Sequence, residues 1–274
     1  MKLVSFSATD GRVRPGALLD DHSVIDLSSY FPDALAVVAA GLKGAPAGRT
    51  LPAGQVRLHP PIANPPRVFA IGLNYRDHAA ESGMAIPTTP VVFFKLTTAI
   101  VGPGETIVLP KNSTEPDYEA EFAFVIGKGG YRVPASAWRE HVYGYTMVND
   151  VSARDVQFAT SQWSLSKSFP TFCPLGPAIV TAEEIADPHA LDIGLKIDGE
   201  VLQKSNTREL IFKIPELIEY LSSITPLLPG DIVSTGTPYG VGLGRTPRRW
   251  LRPGETVTVS VEGLGELTNP VTAE

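Results

Sequence analysis

Glu115-Pro-Asp-Tyr-Glu-Ala-Glu-Phe-Ala-Phe-Val-Ile-Gly127 is the segment on which the reading of the fold turns. From Tyr118 onward, Tyr118, Ala120, Phe122, Phe124 and Ile126 recur with period two, the signature of a β-strand. That alternation puts Glu119 and Glu121 together on the opposite face, with Asp117 two residues before them. Same-face neighbours on a strand lie roughly 6.5–7 Å apart, so two long carboxylates can converge on one point. A hard divalent cation, Mg²⁺ or Mn²⁺, accepts such oxygen ligands. A strand with an acidic, half-exposed outer face would show the same pattern. Ala123 and Val125 continue the acidic face as apolar residues, which predicts burial, and buried carboxylates need a positive partner.

Segments on either side add chemistry. Arg67-Val-Phe-Ala-Ile-Gly72 reads as a buried strand running into a helix from about Asn74, its cap, to a stop at Gly83. His78 and Glu81 share a face of that helix. The pair fits a general base oriented by a carboxylate, and equally a surface ion pair. Val91–Lys95 is a further apolar strand, and 142–148 another that ends at Asn149-Asp150. A helix from about Ser152 would present Arg154 and Gln157 on one face. Asp150 is then either a third metal carboxylate beside two donors for an anionic substrate, or a helix N-cap. Lys167-Ser-Phe-Pro170 lies in a loop, and Pro174-Leu-Gly-Pro177 turns into a strand over 178–181. Pro215 opens a helix whose core stripe is Leu217, Ile218, Leu221 and Ile224. The loop Thr235-Gly-Thr-Pro-Tyr-Gly-Val-Gly242 can bring backbone N–H groups to an anion, but no Gly-Lys-Ser/Thr follows, so it is not a P-loop.

Composition bounds the rest. The 274 residues allow one large domain with a small companion, here 1–65 (β-rich, with a Pro-, Gly- and Ala-rich connection) and 66–274. Gly and Pro number 25 each and separate short Val/Ile/Phe runs, which favours a turn-rich, mainly β protein with short helices. Pro103-Gly104, Pro229-Gly230 and Pro253-Gly254 each fit a type II turn entering a strand (106–109, 232–235, 256–261), and Asp198-Gly199 a hairpin. Asp20-Asp21-His22 reads as a turn, and His22 and His59 as surface loop histidines. The net charge of −6 argues against a nucleic-acid partner. The N-terminus has no signal-peptide pattern, and no apolar stretch approaches the roughly 20 residues that span a bilayer. Cys173, the single cysteine, excludes an intrachain disulfide and reads as a buried thiol. A cytoplasmic protein is expected, bound to neither membrane nor nucleic acid.

Gly72-Leu-Asn-Tyr-Arg-Asp-His-Ala-Ala-Glu81, Asp117-Tyr-Glu-Ala-Glu121, Asn149-Asp-Val-Ser-Ala-Arg-Asp-Val-Gln157, Lys167-Ser-Phe, Cys173-Pro-Leu-Gly-Pro177 and Gly236-Thr-Pro-Tyr-Gly-Val-Gly242 stand in one order over about 66–270. Together they resemble the fumarylacetoacetate hydrolase family. The resemblance implies a mixed β-sandwich roll, a homodimer and a divalent ion, Mg²⁺ with Mn²⁺ or Ca²⁺ as substitutes. By it, Glu119, Glu121 and Asp150 are metal ligands, and His78 with Glu81 is a water-activating dyad on a lid. Lys167 is the cation near the reacting carbonyl, and Arg154, Gln157, Thr237, Tyr75 and Gly236 bind the substrate. Lys95-Leu-Thr-Thr departs from the proline and serine that relatives often carry there. The implied activity is hydrolysis of a C–C bond in a β-diketo acid (acylpyruvate, fumarylacetoacetate-like or 2,4-diketo sugar acid) through a metal-stabilised enolate. Decarboxylation of an oxaloacetate-like 2-oxo acid and isomerisation of a 2-hydroxyhepta-2,4-diene-1,7-dioate-type diacid use the same constellation. A non-catalytic metal-binding protein is the remaining alternative.

Overall fold

The computed structural model describes residues 1–20 and 22–274; Asp21, in the turn expected at 20–22, lies outside the described residues. The chain is mostly β with short helices, as the punctuated apolar runs predict. Gly104, Gly230 and Gly254 have φ of +72°, +88° and +91°, the left-handed conformation a type II turn requires. They lead into strands Ile107–Leu109, Ile232–Ser234 and Thr256–Val261. Asp198 and Gly199, at φ +49° and +86°, join Asp192–Ile197 to Glu200–Asn206 as a hairpin.

Two sheets form the body. The centre of the larger one runs Cys173–Thr181, Val142–Asn149, Ala120–Ile126, Ile232–Ser234, Val68–Gly72, with Val91–Lys95 at its edge. On the other side the N-terminal strands extend the same sheet, because Lys2–Ser7 pairs antiparallel with Cys173–Thr181. A five-stranded sheet covers one face. Phe122, Phe124 and Tyr145 share a core with Leu195, Val257 and Val259 of that second layer. The opposite face is closed too, since Ala123 and Val125 pack with Leu3, Val37 and Val38. The acidic strand is therefore buried along its whole length, as the apolar continuation of its acidic face predicts.

Local details differ from the sequence expectations, each for a tertiary reason. The central ladder starts at Ala120 rather than Tyr118, because Pro116–Asp117 pairs separately with Ser152–Ala153. That pairing delays the following helix to Arg154–Phe158, with Ala153 rather than Asp150 at its N-cap position. Asn74 is not a helix cap. Its buried amide donates to the Phe212 and Thr235 carbonyls, its oxygen accepts from the Phe212 N–H, and the helix is Arg76–Glu81. Pro174 and Pro177 lie inside Cys173–Thr181, where the ladder shifts register around Gly176 and no proline N–H is needed. Ile224 ends helix Ile214–Ile224 64% exposed, beyond the buried Leu217, Ile218 and Leu221. His59 closes the strand Arg57–His59, hydrogen-bonded to Ser7, instead of lying in a loop. Among the described residues no helix is long and apolar enough to cross a membrane.

Candidate functional site

Sheet register assembles the acids. Ala120 pairs with Asn149, and the Asp150 N–H donates to the Glu119 carbonyl at 2.9 Å, so the end of one strand meets the start of the other. Carboxylate oxygens of Glu119, Glu121 and Asp150 lie within 4.8 Å of one another, all three residues buried. Asp117 is turned away: it accepts from Arg154 Nε at 2.8 Å and from the N–H groups of Gly242 and Leu243 at 2.7 and 3.0 Å.

Three buried cations answer these acids. Lys167 Nζ donates to Glu119 at 2.5 Å and to Asp150 at 2.8 Å. Arg154 reaches Glu119 at 2.5 Å and Gln157 at 2.9 Å besides Asp117. Lys95 donates to the other oxygen of Asp150 at 2.5 Å, and to the Lys167 carbonyl. Burial pushes the Glu119 carboxyl up, but Arg154 and Lys167 outweigh it and hold the group well below the usual carboxylate range. Burial likewise opposes charge on Lys167, yet Asp150 and Glu119 raise it above an ordinary lysine. Among the described residues Glu121 has only neutral hydrogen-bond partners, Ser234 Oγ at 2.5 Å and the Gly236 N–H at 3.1 Å. Burial first, then the charges of Asp150 and Glu119, push its carboxyl well up. Asp117, Glu119, Glu121 and Asp150 face Lys95, Arg154 and Lys167, so the acids of the buried cluster outnumber its cations by one, and Glu121 is the acid with no cation bonded to it. Three converging carboxylates with an unanswered charge are a donor set that fits a hard divalent cation.

The imidazole pair is in place beside them. His78 Nδ1 lies 3.1 Å from Glu81 Oε2, and Glu81 Oε1 accepts the Gly240 N–H at 2.9 Å. The two side chains are 14% and 17% exposed, so this is no free surface pair. One cavity of about 430 Å³ is walled by Glu119, Glu121, Asp150, Lys167, His78, Glu81, Arg154, Gln157 and Thr237 together. Ile71, Phe93, Phe158, Trp163 and Leu243 supply much of its apolar wall, with Lys167 Nζ 5.1 Å from the Phe93 ring centre.

Tyr75 and Gly236 are not among the residues that line this cavity. Tyr75 is fully buried, and its hydroxyl has no hydrogen-bond partner among the described residues. Gly236 has φ +99°, and a Cβ there would come within 2.8 Å of the Ile71 carbonyl. The Gly-rich loop does present N–H groups to anions, but they are the chain's own carboxylates Glu81, Asp117 and Glu121. Cys173 is fully buried, and burial pushes its thiol up to about 12. Gln203 carries no mark in the sequence, yet it accepts the Ala120 N–H at 2.8 Å and donates to Thr237 Oγ1 at 2.9 Å. It clamps the acidic strand to the Gly-rich loop. Nor does the sequence signal Lys95 as a partner of Asp150, or Trp163 as a wall residue.

Residues 67–272 match the family model described as "Fumarylacetoacetate (FAA) hydrolase C-terminal". A mitochondrial oxaloacetate tautomerase of Xenopus laevis is 41% identical over 287 residues, spanning 99% of this chain and 90% of its own length. The solved 5-carboxymethyl-2-hydroxymuconate delta-isomerase of Mycobacterium smegmatis is 38% identical with a TM-score of 0.84, over all of both chains. Maleylpyruvate hydrolase of Sphingobium sp. SYK-6, solved with a manganese(II) ion and pyruvate, is 29% identical with a TM-score of 0.83, over 100% of this chain and 99% of that one.

Proposed function

We propose that this chain, which belongs to the fumarylacetoacetate hydrolase family, is an enzyme that interconverts the keto and enol forms of a short 2-oxo acid of the oxaloacetate kind. The observation that carries the reading is the single cavity whose wall holds both the acid cluster with Lys167 and the His78–Glu81 pair. The tautomerase resemblance over 99% of the chain supports the choice of reaction.

Glu119, Glu121 and Asp150 would hold Mg²⁺ or Mn²⁺, which when bound supplies a Lewis acid that favours negative charge on the oxygens of a 2-oxo acid. Lys167 uses two of its three donors on Glu119 and Asp150, and the third faces developing enolate charge. His78 keeps Nδ1 toward Glu81, so Nε2 takes a proton from the carbon beside the carbonyl and returns it to the enolate oxygen. One C–H bond is lost and one O–H bond gained, with no net change in composition. Run the other way, the same transfer ketonises the enol. Gly240 keeps Glu81 facing the imidazole, while Gln157 and Thr237 offer neutral polar groups to the substrate carboxylate.

C–C hydrolysis of a β-diketo acid is the second reading, favoured by the same dyad, since an imidazole backed by a carboxylate also activates water. A proton-NMR assay in D₂O separates the two. It follows decay of enol-oxaloacetate and C3 deuteration beside cleavage of acetylpyruvate and fumarylpyruvate, with Mg²⁺ or with EDTA. The expected result is Mg²⁺-dependent loss of the enol, reduced about 10²- to 10⁴-fold by His78→Ala. Cleavage of the acylpyruvates without effect on the enol would replace this reading by hydrolysis. No turnover of any of them, alongside thermal stabilisation by Mg²⁺, would leave a metal-binding protein.

A further inference from the structure

The cations on the cavity wall differ in how fully their donors are committed. Arg154 is buried and bonded to Asp117, Glu119 and Gln157, and Lys167 is buried and bonded to Glu119 and Asp150. Arg248 is different: its side chain is 57% exposed, and its nearest acid, Glu115, lies at 3.7 Å, too far for a hydrogen bond. Its neighbours in sequence are directed elsewhere, Arg245 to the carbonyls of Gly240 and Leu202, and Arg249 to Glu255. Among the described wall residues, Arg248 is thus the permanently charged group with a planar fork of donors still available at the rim.

The charge of the deep site explains what such a group would do. The four acids of this buried cluster, Asp117, Glu119, Glu121 and Asp150, exceed its cations Lys95, Arg154 and Lys167 by one, so a divalent ion would leave the cluster with one net positive charge. That balances a single 2-oxo carboxylate. A second carboxylate on the same substrate finds no counter-charge at depth and, unpaired in a partly apolar cavity, would oppose binding.

We infer that Arg248 is the specificity-determining residue of this site, and that it selects 2-oxo dicarboxylates by pairing with the carboxylate remote from the keto group. The inference rests on the proposed 2-oxo acid function and narrows its substrate class. Glu115 holds the guanidinium at the rim until that carboxylate displaces it. A two-pronged, charge-assisted pair of this kind is worth about a 10- to 100-fold gain in affinity.

The test is equilibrium binding, independent of which reaction follows. Calorimetry with the Mg²⁺-loaded protein compares 2-oxoglutarate with 2-oxopentanoate, acids of equal chain length that differ in the terminal carboxylate. The wild type is expected to prefer the dicarboxylate by about 10- to 100-fold. Arg248→Gln should bring the two to parity while leaving 2-oxopentanoate affinity unchanged, and Arg248→Lys should restore part of the preference through charge without the fork. Equal affinity in the wild type, or an undiminished preference in Arg248→Gln, overturns the assignment of Arg248 alone. Failure of both acids to bind overturns the 2-oxo acid reading of the cavity, and this inference with it.

Discussion

Gly244→Ala isolates the contribution of the imidazole's orientation. Gly244 lies in the short turn Gly242–Gly244 packed against the helix Arg76–Glu81. A Cβ there would stand 2.5 Å from Glu81 Cδ, 2.7 Å from Oε1 and 2.9 Å from Cγ. No backbone atom is among those neighbours, so the Glu81 carboxylate moves and the main chain stays. Moving it removes the 3.1 Å contact to His78 Nδ1 and the 2.9 Å bond from the Gly240 N–H. A charge-assisted hydrogen bond is worth about 1.5–3 kcal/mol, and tenfold in rate corresponds to about 1.4 kcal/mol, so kcat should fall about 10- to 100-fold. Overall stability should change by no more than about 1–2 kcal/mol, because the displaced carboxylate re-solvates in the cavity. Steady-state kinetics on enol-oxaloacetate, thermal denaturation and Mg²⁺ titration together check this. Glu81→Gln should match the kinetic loss, and Mg²⁺ affinity should stay at the wild-type value in both variants. A Gly244→Ala protein with full kcat, or one losing Mg²⁺ affinity as steeply as kcat, would refute the orienting role of Glu81.

Two further outcomes follow from the buried charges. Lys95→Met removes one partner of a fully buried ion pair and leaves Asp150 with Lys167 alone; about 3–5 kcal/mol of stability should be lost without metal, measured by denaturant unfolding, and Mg²⁺ should recover more of it than it adds to the wild type. The pH dependence of the metal-free protein has a definite sign. Burial, with Asp150 and Glu119, raises the Glu121 carboxyl in the folded chain, so the folded state binds that proton more tightly than the unfolded one. Its stabilising contribution is complete below the ordinary glutamate range and is lost as pH rises through the folded pKa, so Glu121→Gln should flatten this part of the stability profile in thermal scans.

How much of this was legible in the sequence depends on the range of the interaction. Period-two alternation showed the acidic strand, and its apolar continuation showed the burial of Glu119 and Glu121, because both signals lie within a dozen residues. The i, i+3 spacing of His78 and Glu81 survived for the same reason. Pro-Gly turns located three strand entries, since turn conformation is a property of the two residues themselves. The misread positions are those whose partners sit far along the chain. Asn74 has a good local capping role, but the carbonyls of Phe212 and Thr235 compete for its amide and win. Asp150 is a plausible cap until the ladder Pro116–Asp117 with Ser152–Ala153 moves the helix start beyond it. Gln203 and Lys95 carry no local mark, because a hairpin glutamine and a strand-end lysine become clamps only when other segments fold against them.

Those distant partners separate the cations by task. Arg154 lines the cavity and also reaches Asp117, Glu119 and Gln157, so without it Asp117 and Glu119 would be buried with less compensation. Lys95 and Lys167 flank Asp150 in the same way. A site that gathers four acids in a closed double-layered core needs cations of its own before it can bind anything. With three such cations for four acids, Glu121 is the acid left without a bonded cation, facing a cavity that also carries the His78–Glu81 pair. Removal of Lys95 or Arg154 should therefore impair folding before chemistry, whereas changes at His78, Glu81 or Arg248 should impair chemistry or selection in a protein that still folds.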